Sequence, residues 1–341
     1  MDVTEPDLVD DLINALPQLD VCDHGFAKDG DVGKEQENLT DGHQEPRPTP
    51  RKELDKLQMP RWYQARRQNL SKRQRAILQD VWPKYGRDYK SLKFGEPIDW
   101  DTLFHDCAEA TKGLVLDIGF GAGDSILQLA AARPKERFLG AEIYRAGHAL
   151  VAEACDQQGL RNVRLFGGEA TKFLQRYCGD GSFDRVQIYF PDPFPGSETD
   201  MNCRLMSANF FAMLAPKLAP GGVLHIASDV GFYVLDVLDH LRAEPNSAFW
   251  RVCRIGQSGG PDNSEFSPEA AAAVRHQRTA RDDELAAAAR MAAVAQDLGL
   301  RMGTRPTWRP QTKFETKALH EGRFVWDVEV DYIPAKPLAQ G

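Results

Sequence analysis

The sequence predicts a doubly wound α/β fold, a Rossmann-like sheet with helices on both faces, and three observations carry that expectation. Short apolar runs recur at 114–118, 138–143, 162–166, 185–190 and 222–227, with the length and composition of buried parallel strands. Helical patterns separate them, as crossover connections between parallel strands require. The first run breaks into Gly119, Gly121 and Gly123, then resumes with Ile126, Leu127, Leu129 and Ala130 at the spacing of one helix face. Strand, glycine loop and helix in that order form a nucleotide-binding turn. Glycine reaches positive φ and lets the backbone approach a ligand, and open α/β sheets bind ligands at their carboxyl edge.

The charges around this loop select the ligand. A dinucleotide site reads G-x-G-x-x-G, whereas here the glycines fall at alternate positions, and Asp117 lies where it would repel a pyrophosphate. Glu142 closes the second run, at the place of a ribose-holding carboxylate. Glu169 follows the third run and stands beside the first two acids if the sheet is parallel. A ligand with a ribose and positive charge but no phosphate suits this set, which is the description of S-adenosylmethionine. A nicotinamide cofactor and an empty structural turn are the alternatives.

Along the chain, residues 1–50 hold thirteen acids against three Lys and Arg and read as a disordered acidic tail, within which 8–19 could form a brief amphipathic helix. The acids argue against a transit peptide. Removing that local −10 from the whole-chain −8 leaves +2 for the remainder, so nucleic acid stays open as a partner. Residues 51–90 form a basic, aromatic arm with Arg51, Lys52, Lys56, Arg61, Arg66, Arg67, Lys72, Arg73 and Arg75 interleaved with Trp62, Tyr63, Trp82 and Tyr85. Basic groups neutralise phosphates and aromatics stack on bases; the plainer reading is a solvated helix face, with Ser71 as its N-cap. Residues 91–335 are expected to form the main α/β domain, with a helical insertion at about 257–300 whose Leu285, Met291, Val294 and Leu298 could line one face, packing on its own domain or serving as a partner or RNA surface.

The fourth run leads into Pro191-Asp192-Pro193-Phe194. Two prolines fix one carboxylate at a strand end. A carboxylate accepts two hydrogen bonds in one plane, matching the N1–H and N2–H donors of guanine, and the aromatic beside it suits a flat base. The fifth run ends at Ser228-Asp229.

No apolar run reaches the roughly 18 residues of a membrane span, so no membrane association is expected. The six cysteines (Cys22, Cys107, Cys155, Cys178, Cys203, Cys253) are scattered, with no C-x-x-C pair. No metal site or disulfide framework is expected, and the default compartment is reducing, the cytoplasm or the nucleus.

At this point the chain resembles the tRNA (guanine-N7)-methyltransferase family. The resemblance rests on LDIGFGAG at 116–123, FLGAE at 138–142, YFPDPF at 189–194, ASD at 227–229, and TKFE at 312–315 with Gly322, Trp326 and Asp327. It implies the fold of a class I S-adenosylmethionine-dependent methyltransferase and transfer of a methyl group to N7 of a tRNA guanine, in the variable loop. It further implies that Asp117, Gly119, Glu142 and Glu169 bind the donor. Asp192 matches the catalytic acid, also close to the donor, and Asp229, Thr312, Lys313, Phe314 and Glu315 match substrate-binding positions. tRNA is the implied partner, and an added protein subunit is a second one. The chain departs from the family after Asp192: Gly196 stands where a lysine is expected, Glu198 and Asp200 add negative charge, and Arg204 alone survives of a basic cluster. Asp117 replaces the usual Glu and Glu169 the usual Asp. That loss leaves a second reading, a catalytically weak or inactive relative that binds RNA or acts as a scaffold, and a third, a methyltransferase for another guanine-containing substrate.

Overall fold

The computed structural model describes residues 70–88, 92–93, 95–107, 112–194, 204–260 and 278–334. The acidic tail, most of the basic arm (Trp62, Tyr63, Arg66 and Arg67 included) and Gly196, Glu198 and Asp200 lie outside these residues.

The amino-terminal half runs α1 (Lys72–Asp80), α2 (Trp82–Tyr85), β1 (Gly86–Asp88), α3 (Trp100–Leu103), β2 (Lys112–Ile118), α4 (Asp124–Ala132), β3 (Glu136–Glu142), α5 (Arg145–Gln158), β4 (Val163–Gly167) and α6 (Ala170–Tyr177). It continues through β5 (Phe183–Tyr189), α7 (Ala208–Leu214), β6 (Leu218–Ser228), α8 (Gly231–Arg242), β7 (Trp250–Gly259), α9 (Arg278–Asp297), α10 (Lys313–His320) and β8 (Phe324–Tyr332).

The eight strands form one sheet in the order β1-β4-β3-β2-β5-β6-β8-β7. Pairings from β1 to β6 are parallel; β8 lies antiparallel between β6 and β7. The chain winds from β2 outward through β3 to β4, then returns to place β5 on the other side of β2. The order therefore reverses between β2 and β5, where an open α/β sheet offers its ligand crevice. Because β2 to β6 are parallel, their carboxyl ends share one edge, and antiparallel β8 starts at that edge. The five expected strands are present, each shifted or extended by a few residues at its ends.

β2 is buried on both faces, which is why it reads as an unbroken apolar run rather than an alternating one. Leu114, Leu116 and Ile118 join the larger core cluster, and Val115 joins the smaller one under α4 and α5. Asp117 shares the face of Val115 by strand alternation.

Two expectations are corrected here. Trp82 and Tyr85 are buried core residues, not stacking platforms for bases. Trp82 stacks on the His148 ring at 4.6 Å, and β1 extends the main sheet beside β4. Arg73 pairs with Glu153, and Lys84 with Asp156 on α5. Ser71 caps α1 through a complete capping box, and α1 and α2 pack on α5. The second correction concerns α9, which follows β7 in the chain and does not bury Leu285. Ala287, Met291 and Ala295, spaced four apart, are the buried face of α9 and join the larger core, with the helix packed on α8. Leu285 is 43% exposed and Val294 and Leu298 only half-buried. Met291 is buried as expected, and alanines one turn to either side of it complete the face because Gly231 brings α8 near: a Cβ there would lie 2.7 Å from that of Ala287. Among the described residues, no helix is long and apolar enough to cross a membrane.

Candidate active site

The glycine loop leaves β2 with φ of 80° at Gly119, 54° at Gly121 and 91° at Gly123, a left-handed path that favours glycine. A Cβ at Gly119 would meet nothing within 4 Å, so the loop borders open space on its ligand side. Gly119 N–H donates to Ala141 O at 2.8 Å, tying loop to β3, and Gly123 caps α4.

Glu142 buttresses the same loop. Its carboxylate accepts from Gly121 N–H at 2.9 Å, Ile143 N–H at 2.6 Å and Tyr144 N–H at 2.9 Å. Three of its roughly four lone-pair sites are filled by backbone, which leaves one open. The ring of His148 reaches Glu142 O at 2.7 Å, so the Trp82–His148 stack supports this strand end from below. Glu169 stands before α6, takes Thr171 Oγ1–H at 2.5 Å and pairs with Lys172 at 3.0 Å. The acids of β2, β3 and β4 thus stand on three neighbouring strands, as the parallel order requires.

Asp117 is 2% exposed. Its Oδ2 accepts from Gln187 Nε2 at 2.9 Å. Burial raises its carboxyl from 3.8 to about 7; the Gln187 hydrogen bond opposes that rise and the charge of Glu142 adds to it.

Asp192 lies on the exposed turn after β5. The turn departs from β5 with φ of 51° at Phe190, and Phe194 has φ of 40°. Such values are strained for aromatic residues, and the neighbouring structure holds them: Phe190 N–H donates to Ala227 O at 2.8 Å. Arg204 Nε donates to Pro193 O at 2.6 Å and Arg204 Nη1 to Asp236 at 2.5 Å. The one surviving arginine of the expected phosphate-gripping cluster therefore points inward and fixes the Asp192 turn.

α10 closes the cleft from the other side. Thr312 Oγ1 caps it by accepting Glu315 N–H at 3.2 Å. Lys313 N–H donates to Asp124 at 3.1 Å on the glycine-loop helix. The Phe314 ring, 51% exposed, lies 6.1 Å from that of Phe190 at 23°, so the two rings stack beside the Asp192 turn. Asp229 pairs with Arg323, and Glu315 is 1% exposed and pairs with Arg309 at 2.6 Å.

Sequence reasoning missed Gly147, Gln187, His225, Arg309 and the stacking role of Phe190. Gly147 carried a readable signal, a glycine inside a helix. A Cβ there would lie 2.2 Å from Gly121 O, so its absence is what lets the loop sit on α5. Gly147→Ala is expected to push the loop outward and weaken donor binding about tenfold, the effect of a modest overpacking strain. Calorimetry with the donor checks this, and unchanged affinity would show that the loop does not need this contact.

An open glycine cradle, a rim of carboxylates, and no arginine fork in the loop fit a cationic, phosphate-free nucleoside. Fold and site together define a class I S-adenosylmethionine-dependent methyltransferase. Residues 111–261 match the profile of a putative methyltransferase family. Three bacterial proteins named tRNA (guanine-N(7)-)-methyltransferase are similar over most of their lengths. That of Alkalilimnicola ehrlichii is 30% identical over 76% of this chain and 86% of its own. Those of Nitrosococcus oceani (31%; 75% and 83%) and Halorhodospira halophila (31%; 79% and 93%) are close to it in identity. The chain belongs to the tRNA (guanine-N(7)-)-methyltransferase family.

Proposed function

We propose that the chain transfers a methyl group from S-adenosylmethionine to N7 of a guanine in tRNA, the variable-loop guanine being the target that the family resemblance implies. The observation that carries this reading is the convergence, at one sheet edge, of the carboxylates that suit the donor with the Asp192 turn and the Phe190–Phe314 ring pair that suit a purine. The donor, when bound, supplies a methyl group on a positively charged sulfur. Gly119 admits it, Asp117 and Glu142 complement its charge and ribose, and Glu169 faces its adenine.

Asp192 accepts the N1–H and N2–H of guanine, while Phe314 covers one face of the base and Lys313 and Asp229 hold its surroundings. N7 already carries a lone pair. As the N7–carbon bond forms, the carbon–sulfur bond breaks and its electron pair leaves with sulfur, so no proton has to be removed. Asp192 is thus an orienting acceptor and not a base. Orientation of this kind is worth about 7–11 kcal/mol, enough to make positioning the main contribution. The arginines of 51–69 are assigned to phosphate contacts with tRNA, whose loss would flatten the salt dependence of binding; a protein subunit is the alternative source of those contacts.

Purified protein with labelled S-adenosylmethionine and bulk tRNA should yield label in 7-methylguanosine on nucleoside analysis. Label in another nucleoside, or none, would refute the reading. A pH dependence follows as well. A cation prefers the ionised Asp117, so donor affinity should rise from about pH 6 to about pH 8 as a group with pKa about 7 deprotonates. Folding stability runs the other way. A carboxyl raised from 3.8 to about 7 stabilises the fold at low pH, and that contribution is lost as pH rises through about 7. Asp117→Asn should flatten both profiles; an affinity profile that survives the substitution would assign the titration elsewhere.

A further inference from the structure

The resemblance places Glu315 among the residues that touch substrate, yet the structure turns it away from the cleft. Both its oxygens are engaged: Arg309 Nη1 donates to Oε2 at 2.6 Å, and Arg305 Nε lies 3.6 Å from Oε1. Arg309 itself is fully buried. Its Nε and Nη2 donate to Asp327 at 2.6 and 3.0 Å, a two-pronged grip that only a guanidinium provides. Asp327 meets His225 Nε2 at 3.0 Å, and His225 Nδ1 meets Tyr189 Oη at 2.8 Å. Burial lowers the pKa of His225 against the opposing pull of Asp327, which favours the neutral ring. An ionised Asp327 can only accept, which puts the ring proton on Nε2 and leaves Nδ1 to accept from Tyr189. Tyr189 ends β5, immediately before Phe190 and the Asp192 turn. Two residues earlier on the same strand, Gln187 holds Asp117. One buried line of polar contacts therefore runs from the TKFE turn, through β8 and β6, to β5, whose Gln187 holds the donor acid of β2 and whose end leads into the Asp192 turn.

We infer that Glu315 and Arg309 are a positioning pair, with Arg309 locking α10 to the Asp327–His225–Tyr189 line so that Phe314 and Lys313 face the Asp192 turn, and that Glu315 makes no contact with the guanine. This rests on the methyltransferase reading above. Glu315 also gives its own N–H to Thr312, so the four-residue turn is fixed at both ends and only its middle residues face solvent.

The test uses the full chain and four variants, Glu315→Gln, Arg309→Met, Arg309→Lys, and Glu315→Gln with Arg309→Lys. Single-turnover rate, KM for tRNA and donor Kd are measured for each. A positioning pair predicts that Glu315→Gln and Arg309→Lys each lower the rate roughly 100-fold, the effect of an ångström-scale misplacement. KM for tRNA and donor Kd stay within about threefold of wild type, and the double variant is no slower than either single one, because residues that act as a unit are not additive. Arg309→Lys keeps the buried positive charge, so the comparison holds even if Arg309→Met fails to fold. The inference is overturned if Glu315→Gln raises KM for tRNA tenfold while Arg309→Lys leaves it alone, if the two effects multiply, or if a structure with bound tRNA puts the Glu315 carboxylate within hydrogen-bond distance of a guanine. Wild-type protein that makes no 7-methylguanosine sinks the function reading and the inference with it; active wild type with the wrong variant pattern sinks the inference alone.

Discussion

Asp192→Asn is expected to lower the single-turnover rate of methyl transfer by at least about 100-fold while donor affinity stays measurable. The asparagine keeps the size of the side chain, and its oxygen still accepts one hydrogen bond. It presents an NH2 where the second acceptor stood, so one of the two guanine donors faces another donor. The base then rotates away from the line joining N7 to the methyl carbon, and misplacement by an ångström is worth about a hundredfold. Because the turn is fixed by Arg204 and by Phe190 N–H, the loop itself should keep its shape, and the effect should fall on the rate with a smaller one on KM. Rapid-quench measurement at saturating donor and tRNA checks this. Full turnover would mean that guanine is oriented by other groups.

The largest effect on stability is expected from Asp327→Ala. Asp327 is 1% exposed and accepts from both Arg309 and His225. Removing it leaves the guanidinium of Arg309 in the core with Nε and Nη2 unpaired and Glu315 as its remaining carboxylate, beside the His225 ring. Breaking a buried pair by deleting one partner costs about 3–5 kcal/mol, which for a domain of this size corresponds to a fall in Tm of roughly 6–20 °C. The pH dependence has a definite sign. Burial works to raise the Asp327 carboxyl, but His225 and Arg309 hold it below its ordinary value. Its contribution to stability is therefore complete above the ordinary carboxylate range and is lost as pH falls through its folded-state value. Thermal melts of wild type and variant should converge in acid; curves that remain parallel would place the stabilisation elsewhere.

Much of this molecule was readable from its residues because the signals were local. The β2 run, its three glycines and the α4 face lie within twenty residues, and each is dictated by backbone and packing rules that need no partner. The acids at the ends of β3 and β4 could be placed beside Asp117 as soon as the sheet was taken as parallel. What could not be read depended on contacts distant in sequence. Trp82 and Tyr85 have the composition of an RNA-binding arm, and only the ring of His148 and the carboxylate of Asp156 show that they serve the core. On α9, Met291 was readable, but Leu285 outranks Ala287 in hydrophobicity, while close approach to Gly231 selects the smaller side chain and leaves Leu285 exposed. Glu315 lies in a motif of substrate-binding residues, and its burial follows from Arg309, six residues earlier, which carries no signal of its own.

The most direct measurement uses a transcript of the substrate tRNA made with 7-deazaguanosine in place of guanosine, which keeps the N1–H and N2–H donors and removes the N7 lone pair. The account predicts that this RNA binds and competes with ordinary tRNA but accepts no methyl group from labelled S-adenosylmethionine. Incorporation at the rate seen with ordinary transcript would contradict it, because the methyl group would then be going to an atom other than N7.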